Sequence, residues 1–399
     1  MEIKQAFKYE LKPDPGQQRS MHRFAGCRRR VFNMGLGLQM ANYEAGEKYI
    51  RYESMAKNLG TWRRNSGTAW LSEAPFHTLQ QALKDLDRAY KNFFAQRADF
   101  PTFKKKGRGD SLRFPDPKQI KLDQANSRIF LPKLGWVHYR NSREVLGALK
   151  NVTVSLSAGK WFISVQTARE VEKPVAKGEA VGIDLGIVHF ATLSDGTVYQ
   201  LLSSFSQHRD HLRKAQQAMS LRKKFSSNWK KAKAKVQRIH VRIANGRRDY
   251  LHKASTTMSK NHAMVFVEDL KVSNMSRSAA GTIEQPGRNV KQKTGLNRFI
   301  LDQGWTEFRR QLEYKMLWAG GQLLAVPATN TSRICPECNH TSGDNRNSQA
   351  IFRCVECGFS ENADLVAAIN ILRAGYARLA CPVNCEVSSQ HQESTERAA

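Results

Sequence analysis

The chain is 399 residues long with 40% hydrophobic and 9% aromatic content, which is enough for two or three domains around a substantial core and excludes a disordered polyelectrolyte. Its 64 Lys and Arg against 35 Asp and Glu leave a net charge of +29, well beyond the magnitude of roughly 2 to 8 that keeps a small domain soluble. Such a chain repels itself unless a polyanion neutralises it, and nucleic acid is the expected partner; a membrane is disfavoured by the lack of a long apolar run, a lipidation signal or an amphipathic helix with a bulky apolar face.

Met1-Glu2-Ile3-Lys4 alternates like a strand and lacks the apolar stretch of a signal peptide, so the expected compartment is reducing cytosol. Seven cysteines is an odd number, with Cys27, Cys381 and Cys385 outside two C-x-x-C pairs, which argues against a disulfide framework. Residues 1 to about 170 open with a strand over 3–11, continue with helices over about 17–94, and close with alternating segments at 128–139 and 152–167 around an Ala158-Gly159 turn. This pattern reads as a β-barrel with inserted helices. A short basic cluster, Lys104-Lys105-Lys106-Gly107-Arg108, lies between the helices and the later strands, and its lysines are candidates to bind nucleic acid, a weaker signal because short basic loops are common.

The second half begins with an apolar strand at 180–186, then strands at 189–193 and 198–202 joined by an Asp195-Gly196 turn. Helices follow from about 207 to 261, with Ala232, Val236, Ile239 and Ile243 at helical spacing and a break at Ser226-Ser227-Asn228, which predicts a helical hairpin. From Arg209 to Lys253 there are fifteen Lys and Arg against two acids, Asp210 and Asp249. Arg222, Lys223, Lys224, Lys230, Lys231, Arg238, Arg242 and Arg247 are candidates to bind phosphates there.

A fourth strand at 264–270 leads into a loop rich in Gly, Ser and Lys up to about Arg298, then a helix through Trp305, Phe308, Leu312 and Leu317, and a fifth strand at 322–326. The last helix starts near Asn362, carries Leu365, Ala368, Ile369 and Leu372 on one face, and meets a stop signal at Gly375. A polar tail with free thiols Cys381 and Cys385 is expected to be disordered. The order βββ-α-β-α-β-α is that of RNase H-like domains, giving an overall expectation of α/β plus β-barrel.

Cys335, Cys338, Cys354 and Cys357 form two C-x-x-C pairs fifteen residues apart. Each turn presents two thiolates to one metal, so the set predicts a structural zinc ribbon inserted before the last helix. Asp184, Glu268 and Asp364 each end or begin an element, so all three should meet at one edge of the sheet. Their hard oxygens suit two Mg²⁺ ions for phosphodiester hydrolysis, with Asp184 bridging. Singly, each acid fits a solvent-facing turn or a helix N-terminus equally well. Asp269, on the opposite strand face from Glu268, reads as structural.

Gly182-Ile183-Asp184-Leu185-Gly186, Val267-Glu268-Asp269-Leu270, the cysteine pairs and the run from Asp364 to Ile371 together resemble the transposon-encoded TnpB family. Residues 7–32, 79–94 and 131–135 extend the resemblance to nearly everything but the tail. It implies an RNA-guided DNA endonuclease related to type V CRISPR effectors. The guide RNA would come from the transposon end, and the target would be double-stranded DNA with an adjacent short motif. One chain per RNA, in a prokaryotic cytoplasm and held at the nucleoid through DNA, is expected. The implied domains are a β-barrel wedge (1–14 and 96–172), inserted helices (15–95), a RuvC-like nuclease domain (173–330 and 361–375), the zinc ribbon (331–360) and the tail (376–399).

By position in the family pattern, Tyr52, Phe76 and Gln80 are candidates to read the target-adjacent motif; packing of Tyr52 and Phe76 between helices is the alternative. Val366 departs from the family, where Asn usually follows the last Asp by two positions. Rival functions are a cleavage-free, RNA-guided repressor, an unguided zinc-ribbon nucleic-acid-binding protein, and a transposase. The three retained carboxylates favour cleavage over the first two, and the resemblance disfavours the third.

Overall fold

A computed structural model describes residues 1–380 apart from Ile283 and Asn347. The chain divides into two compact units between Glu172 and Lys173. In the first, β1 (Glu2–Lys12) is followed by α1 (Pro15–Glu44), α2 (Tyr52–Arg64) and α3 (Phe76–Phe94). The strands β2 (Ser111–Phe114), β3 (Lys121–Asp123), β4 (Arg128–Leu131), β5 (Gly135–Tyr139), β6 (Ala148–Ser157) and β7 (Lys160–Glu170) complete it. Asp14 starts α1 by accepting from the Gln17 amide at 2.8 Å while the Gln17 side chain accepts from the Asp14 amide, with Pro15 in the first turn. Ala158 and Gly159, at φ 47° and 82°, make the tight β6–β7 turn, the left-handed pair that matches strand twist.

The seven strands pair in the order β2-β6-β7-β1-β5-β4-β3. β1 pairs with β7 over Glu2 to Glu10 and with β5 only at Leu11 and Lys12, so it links two parts of the sheet. Two short strands, β2 and β3, lie where the sequence pattern indicated none, because three or four residues are too few to show a period of two. The helices and sheet share one core that includes Phe7, Met21, Leu36, Leu83 and Val154.

The second unit holds β8 (Ala180–Asp184), β9 (His189–Leu193), β10 (Val198–Gln200), α4 (Ser204–Ser220), α5 (Ser227–Asn261) and β11 (Met264–Glu268). It continues with α6 (Val272–Met275), α7 (Val290–Gln303), α8 (Trp305–Trp318), β12 (Gln322–Val326), β13 (Ile351–Arg353), β14 (Ser360–Asn362) and α9 (Ala363–Ala380). The main sheet runs β10-β9-β8-β11-β12, with β8, β11 and β12 parallel. Its strands alternate between two apolar layers. Val181, Ile183, Val265 and Val267 join Leu251, Phe308 and Leu312 from α5 and α8 on one face, and Phe266 joins Ile371 of α9 on the other.

Several expected boundaries move. The loop expected up to Arg298 contains α6 and most of α7, and the helix beyond it is divided by Gly304 at φ 70°. Gly375 does not stop the last helix. It lies inside α9, where an added Cβ would sit 2.2 Å from the Phe266 ring, so it permits a close helix–sheet contact. The helix therefore runs into the first residues of the expected tail. The fully buried face of α9 is Val366, Ala367, Ala368, Asn370 and Ile371, with Leu365, Ile369 and Leu372 half-buried at its margins. Residues 381–399, with Cys381 and Cys385, lie outside the described residues. Among the described residues no helix is long and apolar enough to cross a membrane.

Candidate active site and metal centre

Adjacent parallel strands bring Asp184 and Glu268 together, because Ile183 pairs with Val267 and each strand then has one residue left. The pleat decides their direction. Gly182 and Phe266 belong to the face against α9, so Asp184 and Glu268, two residues on, turn to that same side. Helix α9 begins there with Asp364 in its first turn, and its start is capped by the Asn362 side chain, which accepts from the Asp364 and Leu365 amides at 3.0 and 3.2 Å. Gly182 makes the approach possible: an added Cβ would stand 2.2 Å from the Ala368 carbonyl oxygen. Asp269 points away and pairs with Arg309 of α8 at 2.5 Å.

The three acids interact electrostatically. Burial, then the charges of Glu268 and Asp364, push the Asp184 carboxyl up to about 7. Burial also raises Glu268, opposed by a hydrogen bond from the Thr331 hydroxyl and by the Arg346 charge. Arg346, in the ribbon segment Gly343–Arg346, reaches within 3.6 Å of Asp364, and His189 Nδ1 is 3.6 Å from the other Asp364 oxygen. Buried Asn370 of α9 donates to the carbonyls of Thr331 at 2.8 Å and Ile334 at 2.7 Å, tying the helix to the entrance of the ribbon.

Thr331, His189, Arg346 and Asn370 were not singled out from sequence, since no spacing relates them to Asp184. A carboxylate cluster in a cationic chain, with hard oxygen donors and an acid pushed toward neutrality by burial and by its neighbours, fits a divalent ion such as Mg²⁺. The carboxylates are not drawn as close as the cysteines: among the described residues, only the four cysteine sulfurs form a group of three or more possible ligands within 4.8 Å of one another.

Those sulfurs fit zinc closely. Cys335 and Cys357 are 3.6 Å apart, as are Cys338 and Cys354, near the roughly 3.8 Å edge of a tetrahedron with Zn–S bonds of about 2.3 Å. The two turns repeat one geometry. Cys335 O accepts from Asn339 N at 3.0 Å and Cys354 O from Gly358 N at 3.1 Å, with Asn339 and Gly358 both left-handed at φ 60° and 76°.

The expected nucleic-acid contacts divide. Lys105, Lys106, Arg222, Lys223, Lys224, Lys230, Lys231, Arg238 and Arg242 are exposed. Two others are engaged by the protein itself. Arg247 bonds the Leu301 carbonyl at 3.0 Å and the Asp302 carboxylate at 3.3 Å, and the Lys104 ammonium sits 4.0 Å from the centre of the Phe32 ring, where burial lowers its pKa. Tyr52 and Phe76 are half-buried against the core under Lys84 and Arg63, at 5.2 and 5.1 Å from the ring centres. Gln80 contacts His77 Nδ1 at 3.1 Å. The packing alternative thus accounts for part of both rings.

Family models match three stretches: "Probable transposase" (IS605 OrfB) over residues 152–279, the Cas12f1-like TNB domain over 305–371, and a helix-turn-helix domain over 1–48. In this chain residues 1–48 form β1 and one unbroken helix. A protein of Escherichia coli K12 named "Putative RNA-guided DNA endonuclease InsQ" is 58% identical over 94% of both chains. A Streptomyces pristinaespiralis protein named "Putative RNA-guided DNA endonuclease" is 33% identical over 95% of this chain and 91% of its own. The Cas12f1 chain of a Cas12f1-sgRNA-target DNA complex shares the fold at a TM-score of 0.50 and 12% identity, covering 93% of this chain and 99% of that one. The chain belongs to the TnpB (IS605 OrfB) family.

Proposed function

We propose that this protein is an RNA-guided DNA endonuclease that takes a guide RNA from a transposon end and cuts double-stranded DNA beside a short motif. Within that reading the sheet carrying the carboxylates is the RuvC-like nuclease domain, the cysteine segment is its zinc ribbon, and the first unit is a wedge barrel with inserted helices. The single observation that carries cleavage is the convergence of Asp184, Glu268 and Asp364 on one side of a sheet edge, where burial and then the charges of the other two acids push Asp184 to about 7. A repressor or an unguided zinc-ribbon protein has no need of that cluster.

Asp184, Glu268 and Asp364 would hold Mg²⁺, which when bound supplies an activated water and charge stabilisation at the leaving oxygen. Thr331 orients the Glu268 carboxylate through its hydroxyl. Arg346 places a guanidinium beside Asp364, within reach of a backbone phosphate lying across the carboxylates. The exposed lysines and arginines of the α4–α5 hairpin neutralise phosphates irrespective of sequence, Lys105 and Lys106 form a second basic stretch, and Tyr52, Phe76 and Gln80 remain the proposed readers of the target-adjacent motif. The protein would work as one chain per RNA in a prokaryotic cytoplasm, associated with the nucleoid.

The test is to express the gene with its flanking DNA, sequence the RNA that purifies with the protein, and supply a matching duplex with Mg²⁺. One discrete structured RNA ending in neighbouring sequence, together with cutting that follows a reprogrammed guide, is expected. Heterogeneous RNA and no guided cutting would return the chain to an unguided binding protein.

A further inference from the structure

The tip of the α4–α5 hairpin carries an aromatic pair, exposed Phe225 and half-buried Trp229, that its own fold does not explain. The hairpin is held by Leu212, Ala215, Val236 and Ile243, with Met219 packed at the margin. Beyond it Leu221 is 84% exposed and Phe225 is 67% exposed. Phe225 stands at φ 69°, a left-handed conformation that is rare for a bulky side chain and stores strain. Its ring lies against half-buried Trp229 at 5.5 Å between centroids, while the Lys224 and Lys233 ammonium groups sit 5.4 and 5.1 Å from the Phe225 and Trp229 ring centres.

No acidic residue occurs between Asp210 and Asp249, so this apolar tip is surrounded by one sign of charge. A protein partner's apolar surface would complement the rings but leave those cations unmatched. An unpaired nucleotide meets both demands, because its base stacks on an aromatic face while its phosphates meet lysine and arginine. In a guided nuclease the nucleic acid held before any DNA is engaged is the RNA, and a displaced DNA strand is the alternative that the experiment separates.

We infer that Phe225 and Trp229 form a stacking platform for an unpaired base of the bound RNA, with the flanking lysines holding its backbone. The inference rests on the guided-nuclease reading and deepens it by assigning a base contact to a hairpin whose charges alone would bind any polyanion.

The experiment compares wild type with Phe225→Asn, Trp229→Ala and Phe225→Tyr in binding the RNA transcribed from the element's end. Asn tolerates the left-handed backbone, so Phe225→Asn removes the ring without forcing the turn to refold; melting temperature checks this. The two ring-removing variants should each weaken RNA binding by about 5- to 100-fold, with Tyr close to wild type. The dependence of affinity on salt should keep its slope, because no phosphate contact is lost, and a fully duplex RNA should bind all four proteins alike.

Unchanged affinity in a folded Phe225→Asn protein would overturn the platform. So would normal RNA binding with weakened capture of a displaced DNA strand by the loaded complex, which assigns the rings to DNA. Absence of any discrete RNA from the wild type is a separate result, since it removes the guided reading itself.

Discussion

Asp184 occupies the position where local sequence and tertiary surroundings conflict most. A carboxyl ordinarily titrates near 4, and this one is held up to about 7 by burial and by two neighbouring acids, opposed by the Arg346 charge and a hydrogen bond from the Leu185 amide. The sign follows from linkage: in the metal-free protein its contribution to stability is full below pH 4 and is lost as pH rises through 7. Asp184→Asn should therefore raise the melting temperature of the metal-free protein at pH 8 by the equivalent of about 2–4 kcal/mol, with little effect at pH 4. The same variant should lose Mg²⁺-dependent cleavage while still binding RNA. Equal melting curves for the two proteins across this pH range would mean that the acid cluster is not coupled as described.

Secondary-structure elements set the distances over which these side chains act. β8 lies so close to α9 that a Cβ at position 182 would collide with the Ala368 carbonyl and the Leu372 amide. Gly182→Ala is expected to destabilise the protein by at least about 2 kcal/mol and to reduce cleavage further than folding alone explains, by pushing Asp364 away from Asp184. Denaturant unfolding paired with single-turnover cleavage distinguishes the two effects. The ribbon acts on the same site from the other side, because it carries Arg346 and is tied to α9 through Asn370. Chelation of zinc, or Cys354→Ser, should destabilise the C-terminal part of the second unit and release the ribbon from proteolytic protection. Retained protection after complete zinc removal would show that the core of Cys335, Phe352, Cys354 and Val366 holds the ribbon without metal.

For the molecule as a whole, much of the site was legible because its signals are local. The cysteine pairs repeat a spacing that one tetrahedral ion demands. The strands at Asp184 and Glu268 are apolar runs ended by acids, and the break at Ser226 is a helix cap, its hydroxyl accepting from Trp229 N at 3.2 Å. The charge of +29 pointed to nucleic acid without reference to any fold. One expectation failed where a residue's role is set by a distant neighbour: Gly375 resembles a helix stop until Phe266 is packed against it. The Asp302 partner of Arg247 was equally invisible in the sequence. The segment before Arg298 has few apolar residues and so hid the start of α7. By itself the sequence determined the element order, the polyanionic partner and the pairing of the four cysteines, since these depend on residue type and short spacing. Only the tertiary structure decided that Arg346, Thr331 and His189 gather around the carboxylates, because they come from segments separated by up to 157 positions along the chain and meet only when the parallel strands, α9 and the ribbon pack together.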